Sequence, residues 1–202
     1  NSDTKPSAFP IVHKLRKDGY DGKGVNVLKS VNDFKNSFKE PSLLEEFIPF
    51  DKELAVIVAR NPNGEVKIFP MVEMVFHPTA NLVEFLFSPA QVSNEIEHQA
   101  SDIATTLAEK IELVGILAVE LFLTKDGELL VNEIAPRPHN SGHQTIEGNI
   151  TSQYQQHLRA ILNLPLGDTS TIMPNGMVNI LGADNHNGNA NAKGLEEVMK
   201  LE

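Results

Sequence analysis

Two apolar runs, Ile116–Thr124 and Leu129–Ile134, flank the tetrapeptide Lys125-Asp126-Gly127-Glu128. Asp-Gly between apolar runs is the strongest short-range hairpin signal, because the favoured two-residue turn needs a positive φ that glycine adopts without strain. A turn at Asp126-Gly127 pairs Lys125 with Glu128 and sets Glu120 directly opposite Glu133, with Cβ atoms about 5 Å apart. Ala118, Phe122 and Val131 are their neighbours, so two like charges share an apolar setting. Such a pair wants a bridging cation or a shared proton. Magnesium suits it, since that ion takes one or two protein carboxylates and completes its octahedron with phosphates and water. Two other readings stand beside it. A register slipped by one sends the carboxylates to opposite faces, and paired carboxylates also serve as general acid and base.

Composition narrows the class. The 202 residues carry 41% apolar and 22% charged side chains, the balance of a soluble chain that buries a core. Absence of cysteine removes disulfides, thiolate zinc sites and a cysteine nucleophile. No apolar stretch reaches the ~20 residues that span a bilayer. The start, Asn1-Ser2-Asp3, is no signal peptide and no initiator, so a fragment is expected. A net charge of −10 argues against a general nucleic-acid binder. The charge is uneven: residues 1–39 hold eight Lys/Arg against four Asp. A basic end on an acidic body points to one anionic ligand, phosphate first, with ordinary solvated lysines as the alternative.

The rest of the pattern gives an α+β layout of two lobes with helices packed on one side. Strands are expected at Phe9–Lys14, Val25–Leu28, Leu43–Ile48, Glu53–Arg60, Val66–Phe69, Leu82–Phe87 and Met177–Leu181, with a short helix over Ser30–Phe38. Ser88-Pro89-Ala90-Gln91 reads as a helix start. Val92, Ile96, Ala100, Ile103, Leu107 and Ile111 form one stripe, and Gly115 ends the helix. Thr151–Leu162 is a second helix, closed by Asn163 and Pro165. The asparagine-rich stretch 184–191 reads as a loop or disordered linker. The expected division is a first lobe at 1–70, a second lobe at 71–182, and a linker at 183–202.

Gly19, Gly22 and Gly24 lie between two strands, beside Lys14, Arg16, Lys17 and Lys23. Without Cβ atoms such a loop lets backbone N–H groups close on phosphate oxygens. The loop is neither a P-loop nor a dinucleotide fingerprint.

In combination the motifs are far more specific. Phe9-Pro10-Ile11-Val12-His13-Lys14, Gly19-Tyr20-Asp21-Gly22-Lys23-Gly24 and Glu45-Glu46-Phe47-Ile48-Pro49-Phe50 with Glu53 resemble the nucleotide half of an ATP-grasp enzyme. Val131-Asn132-Glu133-Ile134-Ala135-Pro136-Arg137-Pro138-His139-Asn140-Ser141-Gly142-His143 is similar to one branch, the ATPase subunits of phosphoribosylaminoimidazole carboxylase, also called carboxyaminoimidazole ribonucleotide synthases. The resemblance runs from about Phe9 to the end.

The resemblance implies ATP and magnesium as cofactors and a set of roles. Lys14 contacts the ATP phosphates and the loop with Gly19, Gly22 and Gly24 folds over them. Glu45, Glu46, Phe47 and Ile48 form the hinge that reads adenine, and Glu53 holds the ribose hydroxyls. Glu120 and Glu133 match the magnesium ligands. Tyr20, Asp21, Lys23, Arg137, His139, Asn140 and Ser141 match positions that handle bicarbonate and aminoimidazole ribonucleotide. The implied reaction makes carboxyphosphate from bicarbonate and ATP and carboxylates the ribonucleotide amine, a carbon–nitrogen ligation of purine biosynthesis. A cytoplasmic homodimer, with a separate mutase acting on the product and no membrane or nucleic-acid partner, is implied too.

The sequence departs from that family at its ends. An N-terminal nucleotide-fold domain and a closing segment are expected beyond the chain, so low or absent turnover is expected of these residues alone. Ala135 stands where many ATP-grasp enzymes carry an Asn ligand, as is usual in this branch. Another ATP-grasp ligase, such as glycinamide ribonucleotide transformylase or biotin carboxylase, should lack the 136–143 loop; a nucleotide-binding fragment without turnover is the remaining alternative. Residue by residue, plainer roles compete: Glu53 as a solvated strand start, Glu45 or Glu46 as an edge charge, Arg137 in a surface ion pair, Tyr20 as packing. His139 and His143 with Asn140 are a weak metal pattern. His13, His77, His98, His157 and His186 are expected to be ordinary surface or half-buried residues.

Overall fold

The computed structural model describes residues 9–17, 19, 24–77, 82–182, 188, 189, 191 and 193–201. They form two antiparallel sheets. The smaller has β1 (Ile11–Leu15) between β2 (Val25–Leu28) and β3 (Ser42–Glu46). A 3-10 helix, Val31–Asn36, connects β2 to β3, and Asp33 Oδ2 accepts from the backbone N–H of Lys29 and Ser30 at its start. His13 is not a surface residue. It is buried at the centre of this sheet, 2.6 Å from Ser42 Oγ and against the Phe38 ring.

The larger sheet has seven strands. Its spine is β4 (Phe50–Arg60), paired along nearly its whole length with β8 (Gly115–Thr124). Beyond β8 lies β9 (Leu129–Ala135). On the other side run β6 (Val72–Phe76), β7 (Val83–Ser88) and β10 (Asn175–Val178), and β5 (Val66–Ile68) pairs with the end of β4. The sheets change over between Glu46 and Phe50, so β4 and β5 belong to the larger sheet although the sequence grouped residues up to 70 with the first lobe.

Leu54 to Ala59 are six consecutive buried residues, the signature of a strand covered on both faces. Leu54, Val56 and Val58, with Leu117, Val119 and Leu121, meet α1 (Asn94–Lys110). Ile57 and Ala59, with Ile116 and Ala118, meet α3 (Gln153–Ile161) through Ala160. The helices therefore lie on both faces, which corrects the expectation of one. Helix α1 starts at Asn94, where Ser93 Oγ accepts from Ile96 N, rather than at Ser88, which is the buried end of β7. Its innermost line is Ala100, Ala104 and Ala108, all fully buried, and the larger Ile96, Ile103 and Leu107 flank it. Small residues bring the helix close to the sheet, so a stripe drawn through the largest side chains lies to one side of the true contact. The helix closes at Ile111 and Glu112 (φ 51), before Gly115, which opens β8. Two short helices, α2 (Thr145–Gly148) and α4 (Leu195–Val198), have no counterpart in the sequence reading. No helix among the described residues is long and apolar enough to cross a membrane.

The β8–β9 turn is a three-residue loop, not a two-residue one. Thr124 pairs with Glu128 through Thr124 N–H to Glu128 O at 2.9 Å, and Gly127 alone takes positive φ (83°). Nothing lies within 4 Å of a Cβ at Gly127, so its requirement is purely conformational. Gly127→Ala should lower stability by about 1 kcal/mol in urea unfolding. A neutral substitution would show that the loop relaxes to another turn type.

Candidate functional site

Residues Ala118, Val119 and Glu120 pair with Ala135, Ile134 and Glu133. One residue on, the register shifts, and Leu121 pairs with Val131. Asn132 is therefore the extra residue of a β-bulge. The longer turn and the bulge each move the ladder by one residue, in opposite senses. Glu120 thus faces Glu133, as the two-residue turn had required by a different route.

The pair lies on the face of β8 that carries Ala118 and Phe122. Helix α3 covers that face over Ile57, Ala59, Ile116 and Ala118, and the face continues past the helix as Ala55, Glu120 and Glu53. Stacked Phe50 and Phe122 rings, 4.5 Å apart, end it. Burial pushes the carboxyl of Glu120 up to about 7, and the neighbouring charge of Glu133 adds to the shift; Lys14 and Arg137 oppose it. Glu53 is also pushed up to about 7, by burial and then by Glu120. Three carboxylates thus share one field that the cations offset only in part.

Those cations come from both sheets. Lys14 on β1 reaches across to β9, its Nζ 2.7 Å from Glu45 Oε2 and donating to Asn132 Oδ1 at 3.1 Å. Glu45 on β3 accordingly acts through its side chain, while Glu46, its neighbour on that strand, pairs along the backbone with Ile11. Phe47 and Ile48 lie in the crossover between the sheets, where Ile48 O accepts from Phe50 N. Arg137 is exposed at the end of β9, with its guanidinium on Pro138 O.

The segment after β9 turns back toward the pair. His139 Nε2 lies 3.6 Å from Glu120 Oε1. Asn140 opens the 3-10 turn Asn140–Gly142, and the buried Ser141 contacts His139 Nδ1 through both Oγ (2.9 Å) and its backbone N–H (3.3 Å). His143 instead stacks on Tyr154, so the two histidines do not form a metal pair. Gly24 closes the glycine loop with φ 82° and its Cβ position 3.1 Å from Gly19 Cα, a fit for glycine only. Tyr20, Asp21, Gly22 and Lys23 lie outside the described residues.

Lys14, Glu45, Glu53, Glu120, Glu133, Arg137 and His139 therefore gather at one place. Asn132 belongs with them and was missed, although a lone amide inside an apolar strand is a readable sign of a bulge or a bond. Among the described residues no three His, Cys, Asp or Glu side chains form a metal cage. Two facing carboxylate oxygens that repel when alone suit a hard cation that takes its other ligands from phosphate and water.

Because the raised carboxyls hold protons in the folded state that the unfolded chain releases, stability should fall as pH rises from about 4.5 through about 7 and then level off. Glu120→Gln removes one source of that fall. The metal-free variant should melt above the wild type at pH 8, with the gap closing at pH 5. A gap independent of pH would contradict the assigned repulsion.

A match to the ATP-grasp domain family covers residues 4–154. The N5-carboxyaminoimidazole ribonucleotide synthase of Bacillus subtilis is 47% identical over 178 residues, 86% of this chain and 46% of the relative. The chloroplastic phosphoribosylaminoimidazole carboxylase of Vigna aconitifolia is 44% identical, over 85% of this chain and 31% of the relative. Among solved structures, N5-carboxyaminoimidazole ribonucleotide synthetase from Thermotoga maritima superposes with a TM-score of 0.81 at 47% identity, over 96% of this chain and 50% of that one. The Aspergillus clavatus synthase, solved with ADP and 5-aminoimidazole ribonucleotide, gives 0.78 at 34% identity, over 87% of this chain and 47% of that one. The chain spans about half the length of the curated relatives it matches. It belongs to the ATP-grasp family, and within that family its similarity is to the N5-carboxyaminoimidazole ribonucleotide synthases.

Proposed function

We propose that this chain is the ATP-grasp portion of a cytoplasmic N5-carboxyaminoimidazole ribonucleotide synthase and that it binds ATP with magnesium between its two sheets. The observation that carries the reading is the facing of Glu120 and Glu133, with Lys14 reaching from the other sheet to Asn132 beside Glu133 and its charge lowering Glu120. Lys14 exchanges its contacts with Glu45 and Asn132 for phosphate oxygens. Backbone groups of Glu45–Ile48, from the end of β3 into the crossover, take the adenine, and the Glu53 carboxylate accepts from the ribose hydroxyls. Magnesium held by Glu120 and Glu133 supplies charge neutralisation at the transferring phosphoryl group.

In the reaction so proposed, a bicarbonate oxygen attacks the γ-phosphorus, ADP leaves, and carboxyphosphate forms. The exocyclic amine of aminoimidazole ribonucleotide then takes the carboxyl carbon, directly or after release of carbon dioxide, and phosphate departs. Arg137 and Lys23 balance the anionic intermediate, while His139, Asn140 and Ser141, with Tyr20 and Asp21, hold the bicarbonate and the ribonucleotide. The glycine loop excludes water, which would otherwise hydrolyse the carboxyphosphate. In the whole protein the product passes to a separate mutase, and two copies associate. A second reading is nucleotide binding without turnover by these residues alone.

Calorimetric titration with a non-hydrolysable ATP analogue tests the proposal. Binding should require magnesium, and Glu120→Gln or Glu133→Gln should weaken it at least about tenfold, roughly 1.4 kcal/mol. Magnesium-independent binding, or binding that both variants retain, would contradict it. With ATP in place of the analogue, added bicarbonate and aminoimidazole ribonucleotide should raise ADP release if these residues suffice for turnover, and leave it flat under the second reading.

A further inference from the structure

Helix α3 is built inside out. Tyr154, Leu158, Ile161 and Leu162 are exposed, whereas Gln153 and Gln156 are fully buried. Each glutamine makes the same pair of bonds to one residue's backbone. Gln153 Oε1 accepts from His139 N–H at 2.9 Å and its Nε2 donates to His139 O at 2.8 Å. Gln156 Oε1 accepts from Gly167 N–H at 2.8 Å and its Nε2 donates to Gly167 O at 3.1 Å.

The first clamp is reinforced. Thr145 Oγ1 accepts from Gln153 N–H at 2.8 Å and donates to Gly142 O at 2.6 Å, which ties both ends of the 139–142 turn to the helix start. Gly142 packs so tightly on Gln153 and Ile57 that a Cβ there would collide with both side chains. With the backbone of His139 fixed, Ser141 N–H, which can only donate, points at Nδ1. That nitrogen must accept, so the ring proton of the neutral imidazole sits on Nε2, the atom facing Glu120.

We propose that Gln153 is a positioning residue: its backbone clamp holds His139 in one ring orientation and one tautomer, with Nε2–H directed at Glu120. The consequence for nucleotide and bicarbonate chemistry rests on the reading of the site given above, but the tautomer does not. Gln156 supplies a matched control, because it makes the same bonds to a loop that carries none of the site residues.

The test is nitrogen-15 NMR of the whole chain at pH 8, with the His139 resonances assigned by their loss in His139→Gln. Wild type should show a single tautomer with Nε2 protonated. Gln153→Met, which keeps the volume and removes both bonds, should move the Nδ1 and Nε2 shifts toward the average of two tautomers. Gln156→Met should leave them in place even where it lowers the melting temperature. If Gln153→Met fails to fold, Thr145→Val takes its place with the same expected shift. A wild-type ring protonated on Nδ1, unchanged shifts in the folded Gln153 or Thr145 variant, or an equal change in Gln156→Met would each overturn the proposal. Magnesium and nucleotide binding play no part in these readings, so failure here and failure of the nucleotide-site reading are separable.

Discussion

Two carboxylates opposed across a β-ladder are an electrostatic cost that a sheet avoids unless something offsets it. Around Glu120 and Glu133 the offset is partial and comes from elsewhere in the chain. Lys14 arrives from the small sheet and Arg137 from the end of β9, and both lower a carboxyl that burial and Glu133 raise to about 7. The large sheet holds this arrangement rigid. Its two central strands are covered by α1 on one face and by α3 on the other, and the second cover stops where the carboxylates begin. The site is the part of that face beyond helix α3, where Glu120 is still mostly buried, and the other end of the face is a packed core.

This geometry explains why two sheets are needed. Of the two cations that lower Glu120, Lys14 is the one that crosses from the small sheet to the large one, and under the proposed function it meets the phosphates between them. Its contacts with Glu45 and Asn132 hold it at the junction. Reaction through carboxyphosphate also needs enclosure from water.

How much of this was legible depended on whether a signal was local. The Asp126-Gly127 turn and the apolar runs beside it disclosed the hairpin, and the facing carboxylates followed from arithmetic on its register. That arithmetic assumed a shorter turn and no bulge, and the two departures cancelled, because Asn132 adds to β9 the residue that the longer turn removes. The strand of six buried residues in β4 was visible as an apolar run, but the side on which each helix packs was not. Periodicity fixes a helix face and is silent on which sheet face receives it. The start of α1 was misplaced because Ser88-Pro89 carries cap-like residues at the end of a strand. Gln153 escaped notice altogether: a glutamine after a capping serine reads as surface, and only the folded turn at His139 gives its amide two buried partners.

The central claim is that the Glu120–Glu133 pair is a cation site completed by nucleotide phosphates. Soaking crystals of the chain with manganese and a non-hydrolysable ATP analogue, and collecting at the manganese absorption edge, tests it most directly. The account predicts an anomalous peak between the two carboxylates and in contact with the analogue's phosphates. Phosphates bound elsewhere, or a peak that leaves Glu120 and Glu133 without a metal neighbour, would contradict it.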